Sequence, residues 1–296
     1  MLTYRKIGAA TITNVIEYTG PTHPPEFLFP EISAAERAAG IAKATPWLAP
    51  NHYVPHMDRF IVTIQIWVVK IGGNVILIDT GVGNHKKRGI PRMEMLNTLV
   101  LPWLEAAGAG PNDVTHVVHT HLHTDHVGWN TIEQDGRWVP TFPKARHVMP
   151  KAEFDWWKAE YDKGGTVVQA GSFADSVLPV LDAGMVDFIN PGEEAAGCLV
   201  AEDVAGHAPG LTAYRLRSDG EEGLFSTDTM HSPIQIANPH WNDRYVLWAD
   251  KAKQARAGLL ARAADRGALI MPMHYGAPYC GYVRRQGDGF MFEPAE

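Results

Sequence analysis

Cysteine is scarce in this 296-residue chain: Cys198 and Cys280 are the only two, and neither stands in a C-x-x-C pair. A thiolate metal site is therefore not expected, and two free thiols are a simpler expectation than one disulfide. Positive charge is also short. Lys and Arg number 26 against 33 Asp and Glu, which leaves a net charge of −7. A nucleic-acid partner wants a basic face, so none is expected. No apolar run approaches the ~18 residues of a membrane span, which argues against a membrane partner. The opening stretch MLTYRKIGAATITNV has no apolar segment after its Arg and Lys, so no secretory signal is read and a cytoplasmic location is expected. Repeats of fixed period and low-complexity tracts are absent as well.

What is present is ordinary for a globular protein, with 45% hydrophobic and 20% charged residues. At this length one large domain or two small ones is expected, with about three quarters of the unfolded surface buried and no need of disulfide staples. Residues 1–59 read differently from the rest. TGPTHPPEFLFPE and TPWLAPNHYVPH are proline-rich and predict mostly irregular chain, with a short helix over Ile32–Ala44. This N-terminal extension suits a lid, an arm over the active site, a contact in a homodimer or simple packing on the core. Residues 60–296 carry the periodic segments. FIVTIQIWVVKI and VILIDTG predict a hairpin about GGN. PRMEMLNTLVLPWLEAAGA predicts a helix divided at Pro102. VTHVVHTH, RHVMP, MVDFI, LVAEDVAG and ALIMPMH predict strands, and AYRLRSDGEEGLFSTD a hairpin about Asp219 and Gly220. KAEFDWWKAEY and ADKAKQARAGLLARAADRG predict helices, the latter closed by Gly267.

The chemistry concentrates at HTHLHTDH, residues 119–126, which holds four of the 14 histidines. Its core, His121, His123, Asp125 and His126, reads H-x-H-x-D-H. Random order would give that string in roughly one chain of this length in five hundred, so a chance origin is set aside. Histidine nitrogen and aspartate oxygen are ligands that Zn²⁺ and similar ions prefer. Residues two apart in extended backbone point to one side, so His121 and His123 can share an ion while Asp125 and His126 face a second. Further candidates each follow a predicted strand: His207 in GHAPGL, Asp228 after GLFST and His274 after ALIMPM. His207 would complete the first ion, His274 the second, and the two oxygens of Asp228 would bridge them. Open coordination positions mark a catalytic site rather than a structural one. A pair of divalent ions lowers the pKa of bound water from ~15.7 to ~7, roughly 12 kcal/mol of deprotonation free energy that no side-chain base supplies.

Taken together, DTG at 79–81, HTHLHTDH at 119–126, GHAPG at 206–210, STD at 226–228 and MH at 273–274 resemble the metallo-β-lactamase superfamily, in its order and over roughly residues 60–296. The resemblance implies an α/β fold, an αββα sandwich behind the N-terminal extension, with a dinuclear site in a cleft along one edge. It implies the same ligands: His121, His123 and His207 for one ion, Asp125, His126 and His274 for the other, and Asp228 between them. Zinc is the expected metal, with manganese, iron or cobalt as substitutes. Asp79 in DTG matches the family aspartate that orients ligands without binding metal, and a turn-capping role is its alternative.

Fold alone does not name a substrate. His123 stands where flavo-diiron oxygen reductases carry glutamate, and Asp228 stands where the best-known β-lactamases carry cysteine nearby. The inserted domain and basic surface of the family's nucleases are missing. Only a short stretch follows His274, unlike the helical extension of glyoxalase II. What remains is the lactonase and methyl-parathion-hydrolase-like branch, which FSTDTMHSPIQIANPHW resembles most. The resemblance thus implies a dinuclear-metal hydrolase that opens a lactone or cleaves an ester of a small molecule. Asp125 would shuttle the proton, and His231 would act directly on the substrate oxygen or sit fixed behind it. His231 occupies the position where acyl-homoserine lactonases often carry tyrosine and phosphotriesterase-like members histidine. An organophosphate triester is therefore the alternative substrate. More remote is a persulfide dioxygenase-like oxidoreductase holding one iron at His121, His207 and Asp228. Trp129, Trp156, Trp157, Trp241 and Tyr275 are candidates either for the pocket lining or for the core.

Overall fold

The computed structural model describes residues 2–295, with 166 and 167 described by their backbone. In chain order the strands are β1 (Tyr4–Ile7), β2 (Ala10–His23), β3 (Tyr53–Val54), β4 (Arg59–Ile71), β5 (Asn74–Ile78), β6 (His116–Val118), β7 (Thr131–Gln134), β8 (Arg137–Pro140) and β9 (Arg146–Pro150). They continue as β10 (Val186–Ile189), β11 (Glu194–Ala195), β12 (Leu199–Asp203), β13 (Thr212–Ser218), β14 (Glu221–Phe225), β15 (Leu269–Ile270), β16 (Gly281–Gln286) and β17 (Gly289–Pro294). One sheet runs β1-β2-β4-β5-β6-β9-β10 with β3 beside β4, a second runs β11 to β17 in order, and β7 pairs with β8 alone.

The chain forms two compact units. The first comprises Met1–Glu17, Ile64–Ala201 and Arg217–Asp219; the second comprises Tyr18–Thr63, Glu202–Leu216 and Gly220–Glu296. Residues 1–17 and 18–59 of the N-terminal extension thus fall in different units. Residues 1 and 296, at the outer ends of the two expected segments, lie outside the described residues.

In the first unit, β5, β6, β9 and β10 are mutually parallel. Ile78 pairs with Val118, so Asp79 and His119 leave the sheet at one level, at the carboxyl edge where open α/β sheets present functional loops. Two apolar clusters fill this unit. One includes Val68, Leu77, Val117 and Trp129; the other includes Leu122, Phe154, Phe173 and Val177. The second unit has the same arrangement in miniature. β14 and β15 run parallel with Leu224 beside Ile270, so the chain leads from that shared level to Asp228 on one side and His274 on the other. Its clusters include Leu211, Leu260, Ile270 and Tyr275, and Leu28, Phe29, Phe60 and Trp241.

Several sequence expectations need correction. Residues 1–59 are not mostly irregular: β1, the 14-residue β2 and a 15-residue helix Ala34–Leu48 occupy much of them. Pro21 is tolerated inside β2 because β1 covers only Ala10–Thr13, and Pro21 forgoes no ladder bond on that side. The predicted helix ahead of Pro102 shrinks to Val100–Ala106, with the proline in its first turn, where an N–H has no helical partner. The preceding stretch uses local bonds instead: Glu94 Oε2 accepts from Arg88 N and Gly89 N, and Asn84 Oδ1 accepts from Thr98 N. Buried Lys86 and Arg88 anchor this stretch to Asp175, the arginine through both Nη atoms at 2.6 and 2.9 Å. Trp129, Trp241 and Tyr275 are core residues, whereas Trp156 is exposed. Neither cysteine is in a disulfide.

Gly128 is required by a close approach. Its N–H donates to Gly81 O at 2.7 Å, and a Cβ there would lie 1.8 Å from Val82 O. Gly128→Ala should therefore cost about 3 kcal/mol through forced backbone movement, read from the urea midpoint. A variant as stable as the parent would refute this packing. His52 is buried between Tyr275 and Phe292, with ring centroids at 5.9 and 5.6 Å. Burial pushes its pKa from 6.5 down to about 4, so the folded protein binds fewer protons there than the unfolded chain. That contribution is intact above pH 6.5 and is lost as pH falls toward 4, up to ~3 kcal/mol. Equilibrium unfolding at pH 7 and pH 4.5 should show a smaller acid-induced loss in His52→Phe than in the parent.

Candidate metal centre

In the first unit the regular ladder of β6 stops at Val118, well short of the predicted VTHVVHTH strand, because a side chain takes over its next bond. His119 N still donates to Val148 O at 2.9 Å, but Thr120 N donates to Asp79 Oδ1 at 2.8 Å. Asp79 is fully buried and adopts a left-handed φ of 56°, which a short acidic side chain accepts more readily than most. Its Oδ2 accepts from Thr120 Oγ1 at 2.7 Å and lies 2.8 Å from His126 Nδ1. Thr120 Oγ1 lies 3.0 Å from His121 Nδ1. A carboxylate accepts, so the bond to Asp79 makes Nδ1 the protonated nitrogen of His126 and leaves the Nε2 lone pair for an electrophile.

The side chains of the motif gather accordingly. The rings of His121 and His123 lie 4.5 Å apart, those of His121 and His126 4.0 Å apart, and Asp125 Oδ1 is 3.7 Å from His126 Nε2. Asp79, His121 and His126 offer ligand atoms within 4.8 Å of one another. The loop is supported from helix Lys151–Gly164: buried Glu153 accepts from Leu122 N and from Trp157 Nε1, and Trp157 meets the His123 ring edge-on at 5.8 Å. His119, expected to be structural, stacks on His147 at 5.9 Å, and burial holds both imidazoles below their usual range.

Sequence reasoning missed Glu17 of β2. It accepts from Val82 N, Gly83 N and Trp129 Nε1, joining the strand to the loops that follow Asp79 and His126. Burial pushes its pKa up to about 7 against the pull of those bonds, and the charge of Asp125 adds to the rise.

In the second unit three imidazoles face one oxygen. Asp228 Oδ2 lies 3.0 Å from His274 Nε2, 3.4 Å from His231 Nε2 and 3.5 Å from His207 Nε2, all of them buried. The backbone sets each in place. Asp228 sits in a 3₁₀ turn, Thr227–Thr229, just past β14. Pro272, with no N–H to give, ends the two-residue β15 and sends the chain to His274. Gly206 fits His207 against helix Ala249–Arg266, where a Cβ would lie 2.5 Å from the backbone of Ala252.

Protonation follows from the outer partners. His274 Nδ1 lies 2.8 Å from Thr63 O, which only accepts, so this nitrogen carries the proton and Nε2 presents a lone pair toward Asp228. His231 Nδ1 lies 3.1 Å from Asp243 Oδ2. Burial would raise the Asp243 carboxyl, but His231, His207 and Arg256 outweigh it and hold the group well below the carboxylate range. Gln235 bonds His231 N through Oε1 and Asp243 Oδ2 through Nε2, and buried Arg256 donates to the carbonyls of Thr229, Pro239 and Trp241. Nitrogen lone pairs aimed at a carboxylate oxygen repel it unless positive charge lies between them. The donor set of three imidazoles and a carboxylate, with His274 and His231 fixed from behind by Thr63 O and Asp243, fits a divalent cation. Asp243 and Gln235 had no signature in the sequence: Gln235 lies in the four-residue helix Ile234–Ala237 and Asp243 in irregular chain, neither at a metal-ligand spacing.

The sequence profile of the metallo-β-lactamase superfamily matches residues 61–291. An N-acyl homoserine lactonase (AttM) from Azorhizobium caulinodans is 26% identical over 164 residues, 55% of this chain and 53% of that protein. The corresponding lactonase of Agrobacterium fabrum is also 26% identical, over 48% of this chain and 49% of its own. The chain thus matches about half the length of these curated relatives. Among solved structures, a hydrolase of the β-lactamase superfamily, AbOPH, superposes with a TM-score of 0.81 at 24% identity, covering 100% of this chain and 97% of that one. The dizinc quorum-quenching lactonase AidC superposes at 0.77 with 20% identity and the same coverage. These likenesses bear out the expected fold, and the chain belongs to the metallo-β-lactamase superfamily.

Proposed function

We propose that this protein is a metal-dependent hydrolase that opens lactones or cleaves related esters. The observation that carries the reading is the convergence of His207, His231 and His274 on Asp228 Oδ2, each ring in the second unit's site buried and two of them oriented from behind by Thr63 and Asp243. Family membership and the lactonase relatives support the reaction class.

Following the motif order of the family, His121, His123 and His207 would hold one divalent ion, Asp125, His126 and His274 the other, and Asp228 both. Such ions, with zinc first in expectation, would supply hydroxide near neutral pH and polarise the ester carbonyl. The chain's own residues do the rest. Asp79 fixes the tautomer of His126 and, through Thr120, braces His121. Asp125, partly open to solvent beside His126, is suited to carry the proton to the departing alkoxide. Asp243 fixes His231 with Nδ1 protonated, which directs Nε2 toward Asp228 and gives His231 a defined orientation beside the reacting oxygen. A lactone is preferred over a phosphotriester because the curated relatives are lactonases; His231 in place of tyrosine keeps the phosphotriester as the competing substrate.

Dialysis against a chelator should abolish hydrolysis of an aromatic δ-lactone, and zinc, manganese or cobalt should restore it; an unchanged rate after chelation would sink the reading. Metal analysis should give two ions per chain, and one iron per chain would instead favour the oxidoreductase. Asp228→Ala should lower kcat about a hundredfold or more with the far-ultraviolet circular dichroism unchanged, whereas Asp243→Asn should lower it about ten- to a hundredfold by releasing His231. Near-parental rates in Asp228→Ala would refute the assignment. Comparing kcat/KM for the lactone and an aryl phosphotriester then decides the substrate class.

A further inference from the structure

His231 lies outside the ligand set that the motif order implies, yet its surroundings in the second unit are those of a metal-bound imidazole. Its Nε2 is 3.4 Å from Asp228 Oδ2, and His207 Nε2 is 3.5 Å from the same oxygen. Ligands held tetrahedrally at the ~2.0–2.2 Å of zinc bonds stand ~3.3 Å apart, so both separations match edges of one coordination shell. His207, Asp228 and His231 are all buried and offer one ligand atom each within 4.8 Å of one another. The His207 and His231 rings are tilted by 43° with centroids 5.1 Å apart, so their planes cross and one ion can lie in both. His274 differs. Its ring stacks on His231 at 4.7 Å with 14° between the planes. An ion in the plane of either stacked ring lies off the plane of the other, which separates His231 from His274 and groups it with His207.

The outer partners agree with this grouping. Asp243 Oδ2, 3.1 Å from His231 Nδ1, takes the proton of that nitrogen, the carboxylate–histidine pairing typical of metal-bound imidazoles. His126 with Asp79 and His274 with Thr63 O have the same form. Tyr245 closes the outer side. Its ring lies 5.3 Å from that of His231, its backbone N–H donates to Asp243 Oδ1 at 3.0 Å, and its hydroxyl lies 2.8 Å from Nε2 of buried His23. We propose that His231 is itself a metal ligand, joining His207 and Asp228 at one divalent ion. The proposal rests on the hydrolase reading of the same site and deepens it. A metal-bound Nε2 has no proton to give, so His231 neither donates to the substrate oxygen nor protonates a leaving group. As a neutral ligand it secures the ion without adding negative charge, which leaves the ion's charge for water and the ester carbonyl.

The test uses the full chain with ¹⁵N-labelled histidine and ¹¹³Cd in place of zinc, where a one-bond cadmium–nitrogen coupling marks each imidazole bound to an ion. The coupled set should contain the imidazoles already assigned, His121, His123, His126, His207 and His274, and His231 besides. The signal that disappears in His231→Gln should be one of the coupled ones. Competition with a chromophoric chelator should show zinc held about a hundredfold or more weakly in His231→Gln, at or beyond the upper end of the ~10–100-fold cost of losing an outer partner, and about tenfold more weakly in Asp243→Asn. If His231→Gln does not fold, the parent spectrum decides by whether a coupled imidazole remains beyond the five already assigned. A His231 signal without coupling, or a zinc affinity unchanged in His231→Gln, would overturn the proposal and leave the hydrolase, whose lactone turnover is read on the zinc-loaded parent. A zinc-loaded parent inactive on lactone and phosphotriester alike would instead overturn the hydrolase reading, whatever the coupling pattern.

Discussion

Positive charge is what the arrangement around Asp228 demands. Three imidazole nitrogens within 3.5 Å of one carboxylate oxygen form a stable set only with protons or a metal ion among them. In a buried setting the alternative is costly, because an uncompensated carboxylate facing nitrogen lone pairs has neither water nor a counterion. The second unit is built around satisfying that demand from outside. Thr63 O and Asp243 each take an Nδ1 proton, Gln235 steadies Asp243, and Arg256 ties the carbonyls of the surrounding loop together.

The first unit meets a similar demand with different parts. Asp79 there replaces a strand partner, taking the N–H and the hydroxyl of Thr120 and then His126. One buried carboxylate thus ends a strand, shapes the following loop and selects a tautomer. This is why the loop holding His121, His123, Asp125 and His126 needs little regular structure of its own: its geometry is fixed by hydrogen bonds to the sheet edge and by Glu153 and Trp157 from the helix beside it.

Much of this was legible in the sequence because it is written in local patterns. H-x-H-x-D-H and DTG are contiguous, and the β-branched and aromatic content of FIVTIQIWVVKI, together with the GGN turn, yields β4 and β5 in the register Ile71 to Asn74. The helix at Ala249–Arg266 and its left-handed Gly267 cap follow from composition and a single glycine. What the sequence hid depends on distant partners. The end of β2 reads as irregular because Pro21 counts against a strand until the open side of the sheet is known. The helix ahead of Pro102 has the right apolar spacing, but Asn84 and Glu94 outbid it with side-chain bonds. β16 and β17 were overlooked because Arg284, Arg285 and Gln286 are exposed and weaken the apolar alternation. Asp243 and Glu17 carry no motif at all; only the folded chain brings them to the residues they bond.

The two oxygens of Asp243 have separate tasks, one orienting the His231 ring and the other holding the backbone of Tyr245. A planar carboxylate cannot turn one oxygen without moving the other. The orientation of the His231 ring and the position of the Tyr245 backbone are therefore mechanically linked, so a change that repositions one disturbs both. Residues that touch Tyr245 from the far side, His23 among them, stand outside that link, because they can vary without passing through the shared carboxylate.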